Sequence, residues 1–534
     1  MKSPPAGLFQ ACVLHEDDHL LVVHKPAGWN THAPSPFAGE GIYDWLRARE
    51  PRWASLAIIH RLDKDTSGVM VFGKSPLANQ SLTRQFERRE VAKKYLLLTD
   101  RPPLRDSVVV KSCVVKDGNR HVSRPARPGD ALAETSFRVV QRRAETTLIE
   151  AQPGTGRTHQ VRIHAADAGF PILGDESHGG TAAHRVCLHA ESIAFAHPSS
   201  GETVTFRAEA DFKSAPHLAL RSAVCDVRET DAFRLIHGAS DGFTGWFVDK
   251  LGDFLVSASE GPLEPDRRAR LHLLLRETGA RGAYHKRLLK KVATPADAAP
   301  QWVAGDAAAE IFDVRENGLR FGLSFIEGYS PGLFLDQRDN RRRLQTGHIA
   351  AGFDIGAGST ARRVLNTFAY TCAFSASAAT GGARVTSVDL SKKYLEWGRR
   401  NFALNGLDAS AHEFLHGDCF DWMRRLAKKG RAFDVVLLDP PTFSRSKSAG
   451  VFAAKQDYAS LVTLALPLLA PGGVLFASTN AASLAPEGFL GAVRGAVARA
   501  RRSIVSEHYA PQPPDFPITR GLPAHLKTVW MKIQ

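Results

Sequence analysis

Beyond Gly328 four short apolar runs recur, "RVLNTFAY", "VTSVDL", "FDVVLLDPP" and "GVLFAST", with helical stretches such as "KYLEWGRRNFALNG" and "YASLVTLALPLLA" between them. Near-continuous apolar runs of this length fit strands covered on both faces, and parallel neighbours need a helix-length crossover. The alternation therefore predicts a doubly wound, Rossmann-like α/β domain over 327–534 with a largely parallel sheet. Residues 1–215 keep a different rhythm. "HLLVVHKPAG", "GVMVFGKS", "KKYLLLTD", "TSFRVVQ" and "TTLIEAQPGTG" are β-rich runs bounded by Gly, Pro or Asp, with helical periodicity only in short pieces such as "PLANQSLTRQFERR". This predicts an α+β domain with a mixed, mostly antiparallel sheet. Residues 216–230 read as a linker, and 231–326 as a small α/β domain ending in a hairpin that turns on Asn317 and Gly318.

Length and composition bound the function. A chain of 534 residues exceeds one core and suits three or four domains. With 43% hydrophobic and 23% charged residues it has the composition of an ordinary globular protein. No run approaches the roughly 20 apolar residues of a membrane span, and the first residues lack a signal peptide's apolar centre, so a cytoplasmic location is expected. Six scattered cysteines without a CxxC pair argue against a metal site and for reduced thiols. A net charge of +14 favours a polyanionic partner.

Three windows carry chemistry in the first domain. "HRLDKDTSG" sets Asp63 among basic neighbours, "KKYLLL" places Tyr95 in an apolar strand, and "GTGRTHQVRIHAADAGFPILGD" carries Arg162 into a helix. In this order they resemble the "HRLDxxTSG", "KxYxA" and "GRTHQ(I/V)R" motifs of the RluA-type pseudouridine synthases, a resemblance covering about residues 10 to 210. It implies cofactor-free isomerisation of uridine in RNA. Asp63 would act at the sugar, as nucleophile or proton relay, with Arg162 as its cation partner, and Tyr95 would stack on the extruded uracil or act in proton transfer at carbon 5. Arg61 would face the RNA and help displace the flipped base. His159 and His164 are read as a structural helix face. After "GD" this chain has "ESHGG", with His178 where the family has an aromatic.

In the C-terminal domain "FDIGAGST" and "VLNTFAYTCAFS" compete as the cofactor loop. A ribose-binding acid follows such a loop by about 20 residues; Asp389 lies 33 beyond Gly356 but 19 beyond Tyr370, which favours the second window. This half resembles the class I S-adenosylmethionine-dependent methyltransferases of the RlmK and RlmI-like ribosomal RNA group, through "GLFLDQRDNRRRL", "VLNTFAYT", "VTSVDLSKKYLEWGRRNFALNGL", "GDCFDWM" and "FDVVLLDPPTFSRSK". The resemblance implies S-adenosylmethionine as cofactor. Asn366, Phe368, Tyr370 and Phe374 would pass under its methionine part, Asp389 would accept from the ribose and Asp418 would lie by the adenine. Asp439 would close the fourth strand at the site, with Phe443 stacking on the target base. No cysteine stands in the acceptor motifs to attack cytosine, which favours a nitrogen acceptor; the resemblance implies that it is guanine ring nitrogen 7. Cys372 occupies a loop position where the group has glycine.

Residues 231–326 resemble that group's RNA-binding accessory domain. Lys286 and Arg287, with His285, Lys290 and Lys291, form a candidate phosphate track. The reading is a bifunctional enzyme of RNA, expected to be 23S ribosomal RNA, with no membrane or metal; the oligomeric state stays open. Its rivals are an assembly factor with one inactive half, and methylation of another base such as cytosine.

Overall fold

The structure is a computed structural model and describes residues 12–118, 120–289, 298–326, 330–356, 362–446, 450–519 and 522–534. The chain divides into two compact units, residues 1–32, 41–44 and 55–226, and residues 33–40, 45–54 and 227–534.

In the first unit one sheet runs in the order Val13–Glu16, Leu20–Lys25, Ser67–Gly73, Leu188–Ala196, Ala92–Thr99, Thr147–Pro153, Ala133–Arg142, Ser107–Asp117, Arg120–Arg124. All these neighbours are antiparallel except Ser67–Gly73 with Leu188–Ala196, where His189 faces Ser67 and Ala190 faces Gly68. Ala190 also faces Tyr95 on its other side. One strand thus separates the end of "HRLDKDTSG" from Tyr95. The final glycine of that stretch has a steric reason: Gly68 has φ +126°, and a Cβ there would stand 2.2 Å from the Ala190 carbonyl oxygen. The helix Pro76–Glu87 starts on a Ser75 cap, and Gln85 bonds both backbone groups of Ala196. The helix Gln160–Asp167 is buried from Gln160 to Ala165, which carries Arg162 inside. Within 216–230, read as a linker, Pro216–Val224 forms a short helix.

In the second unit a five-stranded sheet, Ala232–His237, Trp246–Leu251, Phe254–Ser259, Gly282–Arg287, Gln301–Gly305, contains one parallel pair joined by the helix Pro265–Thr278. The hairpin Phe312–Glu316 to Leu319–Leu323 turns on Asn317 (φ 51°) and Gly318 (φ 78°), the left-handed pair that a two-residue turn requires. A seven-stranded sheet follows in the order Glu413–His416, Arg384–Asp389, Arg363–Thr367, Phe433–Leu438, Leu469–Thr479, Lys527–Ile533, Ile504–Tyr509. Its first five strands are parallel, and Lys527–Ile533 runs against them. The first strand in sequence, Arg363–Thr367, lies between the second and the fourth, so the order reverses beside it and opens a crevice at the strands' carboxyl ends.

Neighbouring residues face opposite layers. Val364 and Val435 join a core with Phe254, Tyr284, Phe325, Phe476 and Trp530, while Leu365 and Val436 join Met423, Leu461, Phe489 and Met531 on the other face. The small sheet therefore shares its core with the large one. "FDIGAGST" contributes the strand Phe353–Asp354, paired with His348–Ala350 ahead of the parallel sheet, and its residues 357–360 lie outside the described residues. No described helix is long and apolar enough to cross a membrane.

Two candidate active sites

Asp63 opens a turn, its carbonyl accepting from Thr66 N–H at 3.2 Å, and the backbone of that turn is held from beneath. Lys25, fully buried at the end of its strand, donates from Nζ to the carbonyls of Pro26 (2.9 Å), Trp29 (2.7 Å) and Lys64 (3.0 Å). Burial pulls its pKa down to about 7 despite Asp65 and Asp63 nearby. Thr31 clamps the same turn through the carbonyl and the N–H of Leu62.

The turn, Tyr95 and Arg162 meet around a cavity of about 90 Å³, with Arg61 exposed on its wall. Arg162 does not take Asp63 as its main partner. Its Nε and Nη2 grip Asp175 at 2.7 and 2.6 Å, Nη2 also reaches Ser177 at 2.9 Å, and only Nη1 turns to Asp63, at 3.7 Å. The expected pair is present, and the same guanidinium bridges a second carboxylate, with its bidentate fork spent on the buried one. Burial opposes the guanidinium charge, but Asp175 and Asp63 outweigh it and raise the Arg162 pKa. Burial and then the charge of Asp63 push the Tyr95 phenol upward, so it stays neutral. His164 is locked between Ser112 and Thr135, a structural role. His159, at φ 55°, meets His178 of the divergent loop, Nδ1 to Nε2 3.1 Å. Asp175 and Lys25 escaped the sequence reading, although "PILGD" and "HKPAG" hold them.

In the second unit a cavity of about 320 Å³ opens at the crevice and is lined by Phe368, Tyr370, Asp389, Asp418 and Asp439. The loop after Arg363–Thr367 winds through three left-handed residues, Phe368 (φ 55°), Tyr370 (49°) and Cys372 (58°). Asp389 anchors it: one carboxylate oxygen accepts from Tyr370 N–H and the other from Ser391 N–H, both at 2.8 Å. Burial raises the Asp389 pKa and these donors pull it back. Asp418 caps the helix Cys419–Lys428 and faces the cavity. Asn366 and Phe374 are on no wall of it. Asn366 is buried against Ser375, and Phe374 packs on Phe476, so both support the loop from below.

Asp439 is held by Gln337, whose Nε2 donates to it at 3.2 Å and to Ser478 at 2.8 Å. The Tyr458 hydroxyl lies 2.7 Å from the Ser478 carbonyl, 3.2 Å from that of Leu438, and accepts from Ser478 N–H. This pins the strand end that carries Asp439-Pro440-Pro441. Burial, then the charge of Asp336, pushes Asp439 up to about 6. Phe443 stands 62% exposed beside Ser444 and Pro441 of the cavity wall. Lys286 and Arg287 close the strand Gly282–Arg287 and line neither cavity; Lys290 and Lys291 lie outside the described residues. Among the described residues no group of three or more His, Cys, Asp or Glu could hold a metal ion.

Residues 262–531, just over half of the chain, match the S-adenosylmethionine-dependent methyltransferase family. The chain belongs to that family. Residues 19–167 match the RNA pseudouridylate synthase family, so the chain joins two enzyme domains. A ribosomal RNA large subunit methyltransferase of Deinococcus radiodurans is 33% identical over 344 residues, 63% of this chain and 81% of that protein. Ribosomal large subunit pseudouridine synthase C of Yersinia pestis is 38% identical over 215 residues, and the match spans 38% of this chain and 66% of that relative. A methyltransferase solved in complex with S-adenosylhomocysteine superposes with a TM-score of 0.51 at 27% identity, covering 64% of this chain and 87% of that one.

The cofactor is S-adenosylmethionine, and the cavity's chemistry fits it. Carboxylates Asp336, Asp389, Asp418 and Asp439 suit a sulfonium cation and ribose hydroxyls, and Phe368, Tyr370 and Phe420 offer flat apolar faces. A pH dependence follows. Because the Asp439 pKa is raised, its negative charge is present above about pH 6 and is lost below. The dissociation constant for S-adenosylmethionine, measured by calorimetry, should be flat from about pH 8 to 7 and rise by up to about tenfold per unit below 6. Asp439→Asn should flatten that profile at the weak-binding level.

Proposed function

We propose that the protein isomerises a uridine to pseudouridine in its first unit and methylates guanine nitrogen 7 in its second, both in 23S ribosomal RNA. The observation carrying this reading is the pair of separate cavities, each built from the motif residues of a different reaction.

In the first, Asp63 is the carboxylate that reacts at the ribose while the bond to uracil nitrogen 1 breaks. Arg162 steadies its charge without being consumed by it, because Asp175 already holds the guanidinium. Tyr95, kept neutral, stacks on the freed base as it turns. Carbon 5 bonds to the sugar as Asp63 is released, the carbon 5 proton leaves and nitrogen 1 gains one, so the product is an isomer of the substrate. Arg61 at the mouth takes the place the base leaves.

In the second, bound S-adenosylmethionine supplies a methyl group on a good leaving group. The chain's task is alignment: Asp389 fixes the loop beneath the cofactor, and the pinned Asp439-Pro440-Pro441 corner presents the base, with Phe443 as its stacking face. Nitrogen 7 attacks with its own lone pair and needs no base. Cytosine carbon 5 would need a thiol, and both cysteines of this unit are otherwise engaged. Cys419 accepts from Phe368 N–H and burial pushes its pKa far up, while Cys372 is sealed under the loop, pushed up to about 12. A ribosomal RNA large subunit methyltransferase K/L of a Psychrobacter species, 43% identical over 171 residues but matched over 20% of its length, supports the same substrate class.

Mass-spectrometric mapping of large-subunit RNA from cells with and without the protein tests the reading. One pseudouridine and one 7-methylguanosine should vanish. Loss of 5-methylcytidine instead would overturn the acceptor alone, and loss of neither would overturn the whole.

A further inference from the structure

The strand Ala92–Thr99 carries two adjacent lysines with opposite fates. Lys94 is 45% exposed and pairs with Glu150 at 3.6 Å. Lys93 points, as strand alternation requires, to the same face as Tyr95, and both line the cavity that holds Asp63. Its ammonium reaches the Thr155 carbonyl at 3.3 Å and forms no ion pair among the described residues. Arg162, on the same wall, has its bidentate carboxylate.

An ammonium drawn into a protein wall is costly unless an anion meets it. Three donors with one carbonyl partner leave two for what enters the cavity that Lys93 lines. Asp63 cannot be both the reacting group and a permanent counter-ion, and Arg162 already faces it. The ligand of this cavity is an RNA nucleotide, and the anion it brings is phosphate.

We propose that Lys93 receives a backbone phosphate adjoining the flipped uridine, and so is a positioning residue that seats the nucleotide with its ribose over Asp63. The proposal rests on the synthase reading of this cavity. Lysine suits the task, since a phosphate approached from one side needs a point charge rather than a fork.

The test uses the full chain with Asp63→Asn added, so that binding is read without turnover, and a short synthetic RNA carrying the uridine that mapping identifies. Lys93→Met should weaken binding about tenfold and lower the salt dependence by about one phosphate contact, whereas Lys93→Arg should keep most of the affinity. A neutral methylphosphonate placed on the 5′ or the 3′ side of the uridine should cost the Lys93 form about tenfold at one of the two positions. In Lys93→Met the same replacement should cost less than about twofold. Multiplicative effects of the two changes at both positions, or a lowered melting temperature of Lys93→Met with RNA affinity unchanged, would overturn the proposal. In the Asp63 protein, absence of conversion of that RNA would sink the synthase reading instead, and the binding comparison would still decide the role of Lys93.

Discussion

Asp63→Asn leaves pseudouridine formation at least about 10⁴-fold below that of the parent chain, while methyl transfer by the same protein stays within about twofold. Removing the group that reacts at the sugar takes away the covalent or proton-relay step itself, and losses of this size follow when a reacting side chain is deleted. The asparagine should cost little stability. Asp63 is 28% exposed in its side chain and 3.7 Å from the cation, so its loss does not strand Arg162, which keeps both hydrogen bonds to Asp175. Asp175→Asn is the contrasting change: it removes the fully buried partner and leaves a 7% exposed guanidinium short of charge, a change that costs about 3–5 kcal/mol. A thermal melt beside quantitative pseudouridine mapping separates them. Equal destabilisation by both substitutions would mean that Arg162 depends on Asp63 as much as on Asp175.

That contrast marks where the sequence was informative. The order of three motifs was enough to bring Asp63, Tyr95 and Arg162 around one cavity, although 99 residues separate the aspartate from the arginine. It did not say which carboxylate takes the guanidinium fork, because that depends on how the segment after the helix returns to place Asp175 inside. Lys25 was illegible for a related reason. A lysine ending an apolar strand reads as a charge reaching water, and only the carbonyls of Pro26, Trp29 and Lys64 converging on it reveal a buried clamp. In the second unit the 19-residue spacing picked the loop that Asp389 anchors. It could not show that Asn366 and Phe374 turn away from the cavity, since the three left-handed residues between them re-aim the chain.

The same loop shows how Cys372 is accommodated at a position where the group has glycine. A side chain at φ 58°, wholly buried, needs room that a glycine would not, and the room comes from Gly398 inside the helix Lys392–Leu404. A Cβ on Gly398 would stand 2.4 Å from the Cys372 sulfur and 2.7 Å from its Cβ. In an open helix, glycine to alanine gains about 1 kcal/mol of helix propensity. Here the clash decides the sign. Rotating the thiol relieves the first contact but not the second, so either the helix or the loop must move. Gly398→Ala should therefore destabilise the protein by about 1–3 kcal/mol and weaken S-adenosylmethionine binding, because Tyr370 and its bond to Asp389 ride on the displaced loop. Cys372→Gly added to it removes both contacts and suits the left-handed backbone, so the double variant should recover stability, with a coupling energy of at least about 1 kcal/mol. Denaturant melts of the four proteins, with calorimetry of cofactor binding, measure that coupling. Additive losses would show that Cys372 and Gly398 are not the matched pair their geometry describes, and would reopen the case for a methyltransferase half that has lost its cofactor.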